Sequence, residues 1–269
     1  MTKYTCKACG VQHSSTHALP THCPICDDDR QSVPPSGQQW VILPEHYNKH
    51  QADWTMMEQN VHRLPTSLEV GIGQDAYFIE TKNGNYLWDC VPLVSDQWVD
   101  KIMAKGGLKA IIISHPHFYS NMVCWSAVFG NIPIYIHHND RHWVQDDADN
   151  ILFWQGDSLR LEDDLTVINP GGHFDGSSVL HWANAADGKN VLFGADTICP
   201  NAVPLARDVT FMHSFPKRIP LPTRKVAHIG QTIKPYKYDR LYGAFKSNIA
   251  EHADIIVQNS VKSYIEALT

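Results

Sequence analysis

Three histidines and one aspartate stand where strands are expected to end, and their side chains could bind a metal ion. The apolar strand Lys109–Ser114 runs directly into His115 and His117. Side chains two residues apart share a face, so both imidazoles leave the sheet edge on one side and form half of a zinc or iron site. The further candidate ligands are His173, in a Gly-Gly-His loop, and Asp196, which follows another apolar strand.

Four of the seven cysteines form two Cys-x-x-Cys pairs, Cys6 with Cys9 and Cys23 with Cys26. This spacing is typical of a four-thiolate metal knuckle. Two disulfides are disfavoured without a secretory signal, and a redox motif is disfavoured without a surrounding βαβ unit. The stretch resembles a zinc ribbon and equally a rubredoxin-like module, because four thiolates hold zinc or iron alike. The polar, Pro-rich run that follows predicts a linker, which divides the chain into a module over residues 1–37 and a main domain over residues 38–269.

The main domain has the pattern of short strands with interleaved helices. Strands are predicted at Asp75–Thr81, Tyr86–Cys90, Lys109–Ser114, Pro133–His137, Leu165–Asn169, Ser177–Trp182 and Val191–Phe193. Helices are predicted over residues 96–105 and at Thr223–Ile233, Ser247–Ala253 and Val261–Leu268. The sequence has no repeat of fixed period, and this order of elements favours a mixed α/β sandwich over a TIM barrel.

The order His-x-His, then Gly-Gly-His, then Gly-x-Asp resembles the metallo-β-lactamase fold superfamily over roughly residues 65–265. The resemblance implies an α+β fold, a four-layer αββα sandwich with a metal cleft along one edge of its two sheets. It implies that His115, His117 and His173 hold the first metal. Asp196 matches the carboxylate that bridges two metals in binuclear members, and Asp89 matches an early aspartate that orients the histidine loop.

The chain departs from this family at the second metal site. The family pattern is His-x-His-x-Asp-His, but Tyr119 and Ser120 stand where the aspartate and the second-site histidine belong. The last histidine of the family has no counterpart in Tyr238–Phe245. A phenol or a hydroxyl is a poor zinc ligand at neutral pH, so we expect one metal ion in the cleft. Whether His228, on a predicted helix, is a further metal ligand stays open.

A metal ion held by three imidazoles and a carboxylate or water keeps one exchangeable position, as catalytic sites require. Water bound there has its pKa lowered from 15.7 to about 7, which supplies hydroxide for attack on a carbonyl or phosphoryl centre. Asp196 would ligate the metal or shuttle a proton. Tyr119 would donate a hydrogen bond to a developing oxyanion or fill the vacated pocket. The sequence therefore predicts metal-dependent hydrolysis of a small ester, lactone, thioester or amide.

Two other functions remain open on the sequence. The first is a non-catalytic domain that binds a ligand or a partner through a degenerate metal site, with the knuckle as its docking module. The second is an iron-dependent oxidoreductase, prompted by the rubredoxin-like knuckle beside a fold that flavodiiron proteins also use. The oxidoreductase is disfavoured because a carboxylate-rich second site and a flavodoxin-like domain are both missing.

Composition and charge limit the partners. The chain has 22 Lys and Arg against 28 Asp and Glu, a formal charge of −6, which disfavours nucleic acid because phosphate binding needs a cationic surface. No apolar run approaches the roughly 18 residues of a membrane span, and no signal peptide is recognised, so a soluble cytoplasmic protein is expected. The expected cofactors are one zinc in the cleft and one in the knuckle, with iron compatible at either. A small-molecule substrate is expected, and a homo-oligomer is compatible with the sequence.

Overall fold

The computed structural model describes residues 2–43, 53–66, 70–185, 187–201 and 207–269. The chain divides into two compact units, Met1–Ile136 with Arg141–Phe153, and His137–Asp140 with Trp154–Thr269. Each unit is built on a sheet that mixes parallel with antiparallel strands, and each carries helices. The predicted α+β class is therefore confirmed, whereas the boundary predicted near residue 37 stays a prediction.

The first unit carries strands β1 to β9 and helices α1 to α3. They are β1 (Thr5–Cys6), α1 (Pro24–Asp27), β2 (Trp40–Val41), β3 (Thr55–Glu58), β4 (Val61–Leu64), β5 (Ala76–Thr81), β6 (Gly84–Trp88), α2 (Asp96–Ala104), β7 (Ala110–Ile112), α3 (Met122–Val128), β8 (Ile134–His137) and β9 (Ile151–Trp154). Strands β3 to β9 form one seven-stranded sheet in chain order, while β1 pairs with β2. In that sheet β7 is parallel to both β6 and β8.

The core of the first unit follows from its apolar patterns. Ile111 and Ile112 in β7 are fully buried, as expected for a parallel strand that is covered on both faces. Helix α2 buries Trp98 and Ile102, which lie one turn apart on the same face. The four knuckle cysteines belong to the same apolar cluster as these residues. The knuckle is thus part of the core of this unit.

The second unit carries strands β10 to β19 and helices α4 and α5. They are β10 (Ser158–Arg160), β11 (Leu165–Ile168), β12 (Val179–Trp182), β13 (Val191–Ala195), β14 (Cys199–Pro200), β15 (Val209–Thr210), β16 (Met212–Ser214), β17 (Ile219–Pro220), α4 (Thr223–Ile233), β18 (Arg240–Gly243), β19 (Asn248–Ile249) and α5 (Ala253–Leu268). The main sheet has the order β10-β11-β12-β13-β18-β19, and β13 is parallel to β18. Helices α4 and α5 share an apolar cluster with β13 and β18. In the described part of the chain no helix has the length and apolarity that a membrane span needs.

The predicted elements agree with the structure except near the end of the chain. Helix α4 has the predicted bounds. The predicted helix Ser247–Ala253 is wrong, because Asn248–Ile249 pair with β18 as an edge strand. The last helix begins at Ala253 instead of Val261, after His252 in a left-handed conformation. Pairing with the neighbouring strand β18 therefore overrides the local helical spacing.

Candidate functional site

His115 and His117 lie just beyond the end of β7, where the chain leaves the sheet. His115 is extended, with φ of −167°, and directly precedes a 3₁₀ turn at Pro116–Phe118. The centroids of the two imidazole rings are 5.1 Å apart, and both side chains are buried. The structure thus brings these predicted ligands together within the first unit, and we call them the histidine pair.

Asp89 holds the loop of the histidine pair and sets the tautomer of His115. Its carboxylate accepts the backbone N–H of Ser114 at 2.7 Å and the Ser114 hydroxyl at 3.0 Å. Because the hydroxyl proton goes to the carboxylate, the Ser114 oxygen accepts the Nδ1–H of His115, at 2.9 Å. This places the lone pair of His115 on Nε2, the nitrogen at the metal-binding end of the ring. The contact that the family resemblance implies for Asp89 is present.

Asparagine at Asp89 should lower the metal affinity of the histidine pair by about 10- to 100-fold. The amide has one acceptor oxygen for two donors, so the Ser114 hydroxyl turns its proton toward Nδ1 of His115. The ring proton then sits on Nε2, where it opposes metal binding. Competition with a chromophoric chelator measures the affinity. Asp75→Asn, a buried carboxylate that instead lies 3.6 Å from Arg63, is the control that should leave it unchanged.

His173 and Asp196 lie together in the second unit. Nε2 of His173 is 3.8 Å from Oδ2 of Asp196, and both side chains are buried. Nδ1 of His173 donates to the carbonyl oxygen of Met212 at 2.9 Å, which again places the lone pair on Nε2. The 3.8 Å separation is too long for a hydrogen bond and is near the roughly 3.4 Å between two ligand atoms of a tetrahedral zinc ion. We call these residues the His173–Asp196 pair.

Two contacts that the sequence analysis missed hold the loop of His173. The buried carboxylate of Asp140 accepts the backbone N–H of Gly176 at 2.8 Å. The side-chain amide of Asn169 donates to the carbonyl oxygen of Ser177 at 2.8 Å. Both partners are backbone groups, and Asp140 lies 36 positions before Gly176, so no residue spacing could have revealed the first contact.

Asp196 is placed by a turn that requires glycine at position 194. The N–H of Ile198 donates to the carbonyl oxygen of Gly194 at 3.0 Å, which closes the turn around Asp196. A Cβ at position 194 would overlap the carbonyl oxygen of Ile198. Ala195 has φ of +46°, a conformation that costs an L-residue roughly 1–2 kcal/mol. The Gly-x-Asp motif is therefore needed for β13 to end with a buried carboxylate.

The four knuckle cysteines converge in the first unit. Their Sγ atoms all lie within 4.8 Å of one another, with 3.5 Å between Cys6 and Cys26 and 3.7 Å between Cys9 and Cys23. Disulfide sulfurs are about 2.05 Å apart, whereas the ligands of a tetrahedral zinc ion bound at about 2.3 Å are roughly 3.8 Å apart. Burial raises the pKa of the Cys9 thiol, so its ionisation needs a nearby cation. The geometry fits a four-thiolate ion and excludes disulfides here.

Tyr119 and Ser120 are the residues that the sequence resemblance matches to the second-metal ligands. Tyr119 is 1% exposed and lies in the apolar cluster that contains the knuckle cysteines. The hydroxyl oxygen of Ser120 accepts a hydrogen bond from Gln74 at 2.8 Å, and its carbonyl oxygen accepts the N–H of Gln12 at 2.8 Å. Protein contacts therefore use both oxygens of Ser120. The role of Tyr119 as a hydrogen-bond donor to a substrate stays a prediction.

A cavity of about 700 Å³ opens in the second unit beside the loop of His173. It is lined by Asn139, Asn169, Pro170, Gly171, Gly172, Asp175, Arg224, Lys225 and His228. Lys225 donates to the carbonyl oxygen of Gly172 at 3.3 Å and lies 3.7 Å from the carboxylate of Asp175. Arg224 has no carboxylate within ion-pair distance among the described residues. His228 lines this cavity from α4 and belongs to no cluster of candidate metal ligands in the described part of the chain.

Several other buried titratable groups are uncharged at neutral pH. Burial raises the pKa of the Cys90 and Cys199 thiols. Burial also lowers the pKa of His137 and His181. Cys199, three residues beyond Asp196, is therefore a protonated thiol.

Comparison with known proteins identifies a sequence relative and several similar folds. The sequence is 41% identical to the uncharacterized protein YmaE of Bacillus subtilis (strain 168) over 271 residues, which cover 100% of this chain and 97% of YmaE. No family model matches the sequence. The metallo-β-lactamase DIM-1 has a TM-score of 0.61 at 14% identity, over 82% of this chain and 99% of DIM-1. The metallo-β-lactamase FIM-1 from Pseudomonas aeruginosa, in its mono-zinc form, has a TM-score of 0.55 at 13% identity, over 82% and 98%.

Proposed function

Because the chain belongs to the same family as YmaE of Bacillus subtilis and has the metallo-β-lactamase fold, we propose that it is a metal-dependent hydrolase. In this proposal the histidine pair and the His173–Asp196 pair, which the order of motifs in the sequence assigns to one site, bind a single divalent metal ion. The observation that carries it is the hydrogen bonding of His115 and His173. Both rings use Nδ1 as a donor to the protein, which gives both an Nε2 lone pair for a metal ion. Zinc is the proposed ion, because catalytic zinc takes imidazole and carboxylate ligands.

The proposed cleft holds one ion, in contrast to a binuclear site. Tyr119 and Ser120 stand at the second-metal positions, and neither side chain is a good zinc ligand at neutral pH. The hydrogen bond from Gln74 to the Ser120 hydroxyl supports this proposal, because a second ion bound by that hydroxyl would compete with it.

Several side chains of the protein have defined roles in the proposed reaction. When bound, a zinc ion supplies a water of lowered pKa and polarises a carbonyl group. Asp196 accepts the proton of the attacking water and returns it to the leaving group, or serves as the fourth ligand. Asp89 and Ser114 keep His115 in the tautomer that the ion requires.

The substrate proposed is a small ester, thioester, lactone or amide that carries an anionic group. The cavity beside the His173 loop has a volume of about 700 Å³, which lies within the range of small-molecule binding sites. Arg224 and Lys225 line it in the first turn of α4, which carries no acidic residue, and of these two cations Lys225 lies beside the carboxylate of Asp175. The positive end of the helix dipole opposes these cations, so a bound anion would relieve that repulsion.

The knuckle is proposed to hold a second, structural zinc. Four buried thiolates complete a tetrahedral shell and leave no position for a substrate. Iron in the same shell would give a visible thiolate absorption band. Metal analysis and absorption spectroscopy therefore distinguish iron from zinc at the knuckle. Iron at the knuckle would favour the oxidoreductase.

A panel of chromogenic esters, thioesters, lactones and amides tests the hydrolase directly. The panel contains matched pairs, each with and without a carboxylate on the acyl group. We expect the zinc-loaded protein to hydrolyse at least one class, with the carboxylated member preferred, and His115→Ala to reduce that rate to background. Equal rates for wild type and His115→Ala across the panel would reject catalysis and favour the binding domain. A preference for the uncharged member would reject only the anionic substrate.

A further inference from the structure

The segment between the two cysteine pairs reaches the loop of the histidine pair directly. The backbone N–H of Gln12 donates to the carbonyl oxygen of Ser120 at 2.8 Å. Ser120 follows His117 by only three residues, and both segments belong to the first unit. One hydrogen bond therefore joins the segment that carries the thiols to the segment that carries the imidazoles.

Gln12 is itself held by the knuckle and by α3. Its neighbour Val11 accepts the N–H of Cys6 at 2.9 Å, which ties this segment to a candidate metal ligand. The side-chain oxygen of Gln12 accepts the thiol of Cys124 on α3 at 3.0 Å, and its amide nitrogen lies 3.5 Å from Oγ1 of Thr5. Gln12 is 3% exposed. Its position therefore depends on the folded knuckle.

The knuckle also packs closely against the chain that follows β6. Gly10 has φ of +82°, and a Cβ at this position would lie 2.7 Å from Cγ of Pro92. The carbonyl oxygen of Lys7 accepts the N–H of Gly71 at 2.9 Å. The carbonyl oxygen of Pro92 in turn accepts the side-chain amide of Asn121 at 3.1 Å, next to Ser120. The knuckle and the histidine loop thus contact the same neighbour.

The backbone of Ser120 is strained, so the contact with Gln12 helps to hold it in place. Its φ of +43° lies in the left-handed region, which costs a serine on the order of 1 kcal/mol and persists only when the surroundings hold it. Gln12 holds the carbonyl oxygen, and Gln74 holds the hydroxyl at 2.8 Å. Without the first contact the backbone relaxes at Ser120, and the strain release shifts His117 on the preceding turn.

The geometry points to Gln12 as a positioning residue that couples the knuckle to metal binding by the histidine pair. The inference rests on the proposed function, because it takes His115 and His117 to be metal ligands. A knuckle folded around its ion keeps Gln12 against Ser120 and so keeps the two imidazoles oriented. By thermodynamic linkage, occupancy of either metal site then strengthens binding at the other.

Methionine at Gln12 tests this coupling, because it keeps the side-chain volume and the backbone N–H but removes the side-chain hydrogen bonds to Cys124 and Thr5 that hold this N–H against Ser120. We expect the cleft of Gln12→Met to bind Co²⁺ about tenfold more weakly than that of wild type. Titration separates the two sites, since cobalt in the knuckle has a thiolate charge-transfer band and cobalt in the cleft has none. The thiolate band of the variant should match that of wild type. Gln145→Met is the matched control and should leave the cleft affinity unchanged, because the side-chain amide of Gln145 donates to the carbonyl oxygen of Trp143 at 3.0 Å and not to the knuckle or to Ser120.

A second control separates positioning from loss of stability. Ile102→Val trims the same core from α2 and should leave the cleft affinity unchanged. The inference is overturned if the clefts of wild type and Gln12→Met bind Co²⁺ with equal affinity. It is also overturned if Ile102→Val loses as much cleft affinity as Gln12→Met. The readout is metal affinity, so a protein that shows the tenfold loss but no hydrolysis refutes only the hydrolase. A hydrolase with unchanged affinity in Gln12→Met refutes only the coupling, and wild type that binds cobalt at the knuckle alone refutes both.

Discussion

Alanine at His115 or at Asp196 is expected to lower the metal content of the chain from two ions to one, and alanine at both to lower it no further. The reason is that the histidine pair and the His173–Asp196 pair are proposed to serve one ion. Each alanine removes one of the four proposed ligands of the same ion and the double variant removes two, so all three variants weaken the binding of that one ion. Hydrolysis should fall by about 10³-fold or more in each variant, as when a group that stabilises the transition-state charge is lost.

Metal analysis of the purified variants, together with rates on the best substrate of the panel, measures this result. The double variant is decisive, because residues that act as one unit show strongly non-additive losses. His142→Ala, an exposed histidine of the first unit, is the control that should keep both ions and the full rate. Separate, additive losses of metal from the two single variants would mean that each pair binds its own ion, and the single shared site would be rejected.

The site residues could be found from the sequence because their signals are local. A continuous apolar strand that runs into His-x-His places both His115 and His117 just beyond one strand end, although a 3₁₀ turn and not extended backbone carries His117. The Cys-x-x-Cys spacing likewise brings each pair of sulfurs to one ion without help from the rest of the fold. The turn after Gly194 is also a local signal, because the glycine that it requires lies only two residues before Asp196.

The supports of the site could not be found in this way because they are long-range contacts. His173 is oriented by the carbonyl oxygen of Met212, and because every residue type offers the same backbone carbonyl, the sequence carries no signal for this contact. Gln12 stands between two cysteine pairs in what the sequence presents as a separate module, yet it bonds to Ser120 more than a hundred residues later. The wrong helix at Ser247–Ala253 has a related origin, because this segment forms a short hairpin with β18, and β18 is itself held in the sheet by parallel pairing with the distant strand β13.

Serine at Cys23 is expected to release the knuckle metal and to destabilise the first unit by at least about 3 kcal/mol. Structural zinc contributes roughly 10–16 kcal/mol to the folding of isolated zinc-finger peptides, more than the marginal stability of many whole domains. The knuckle cysteines lie in the apolar cluster that also contains Trp98 and Trp125, so their loss opens that core. For a protein of this size the unfolding midpoint should fall by roughly 10 °C.

Differential scanning fluorimetry with metal analysis measures the change, and a thiol-specific control isolates its cause. Cys124→Ser makes the same chemical change at a half-buried cysteine outside the knuckle, and the new hydroxyl still donates to Gln12. It should keep both ions and a midpoint close to that of wild type. If Cys23→Ser does not fold, a strong chelator added to wild type should produce the same fall in the midpoint. A Cys23→Ser protein that keeps two ions and the wild-type midpoint would show that the four thiols are not a metal site, because three thiols and a hydroxyl cannot replace that shell.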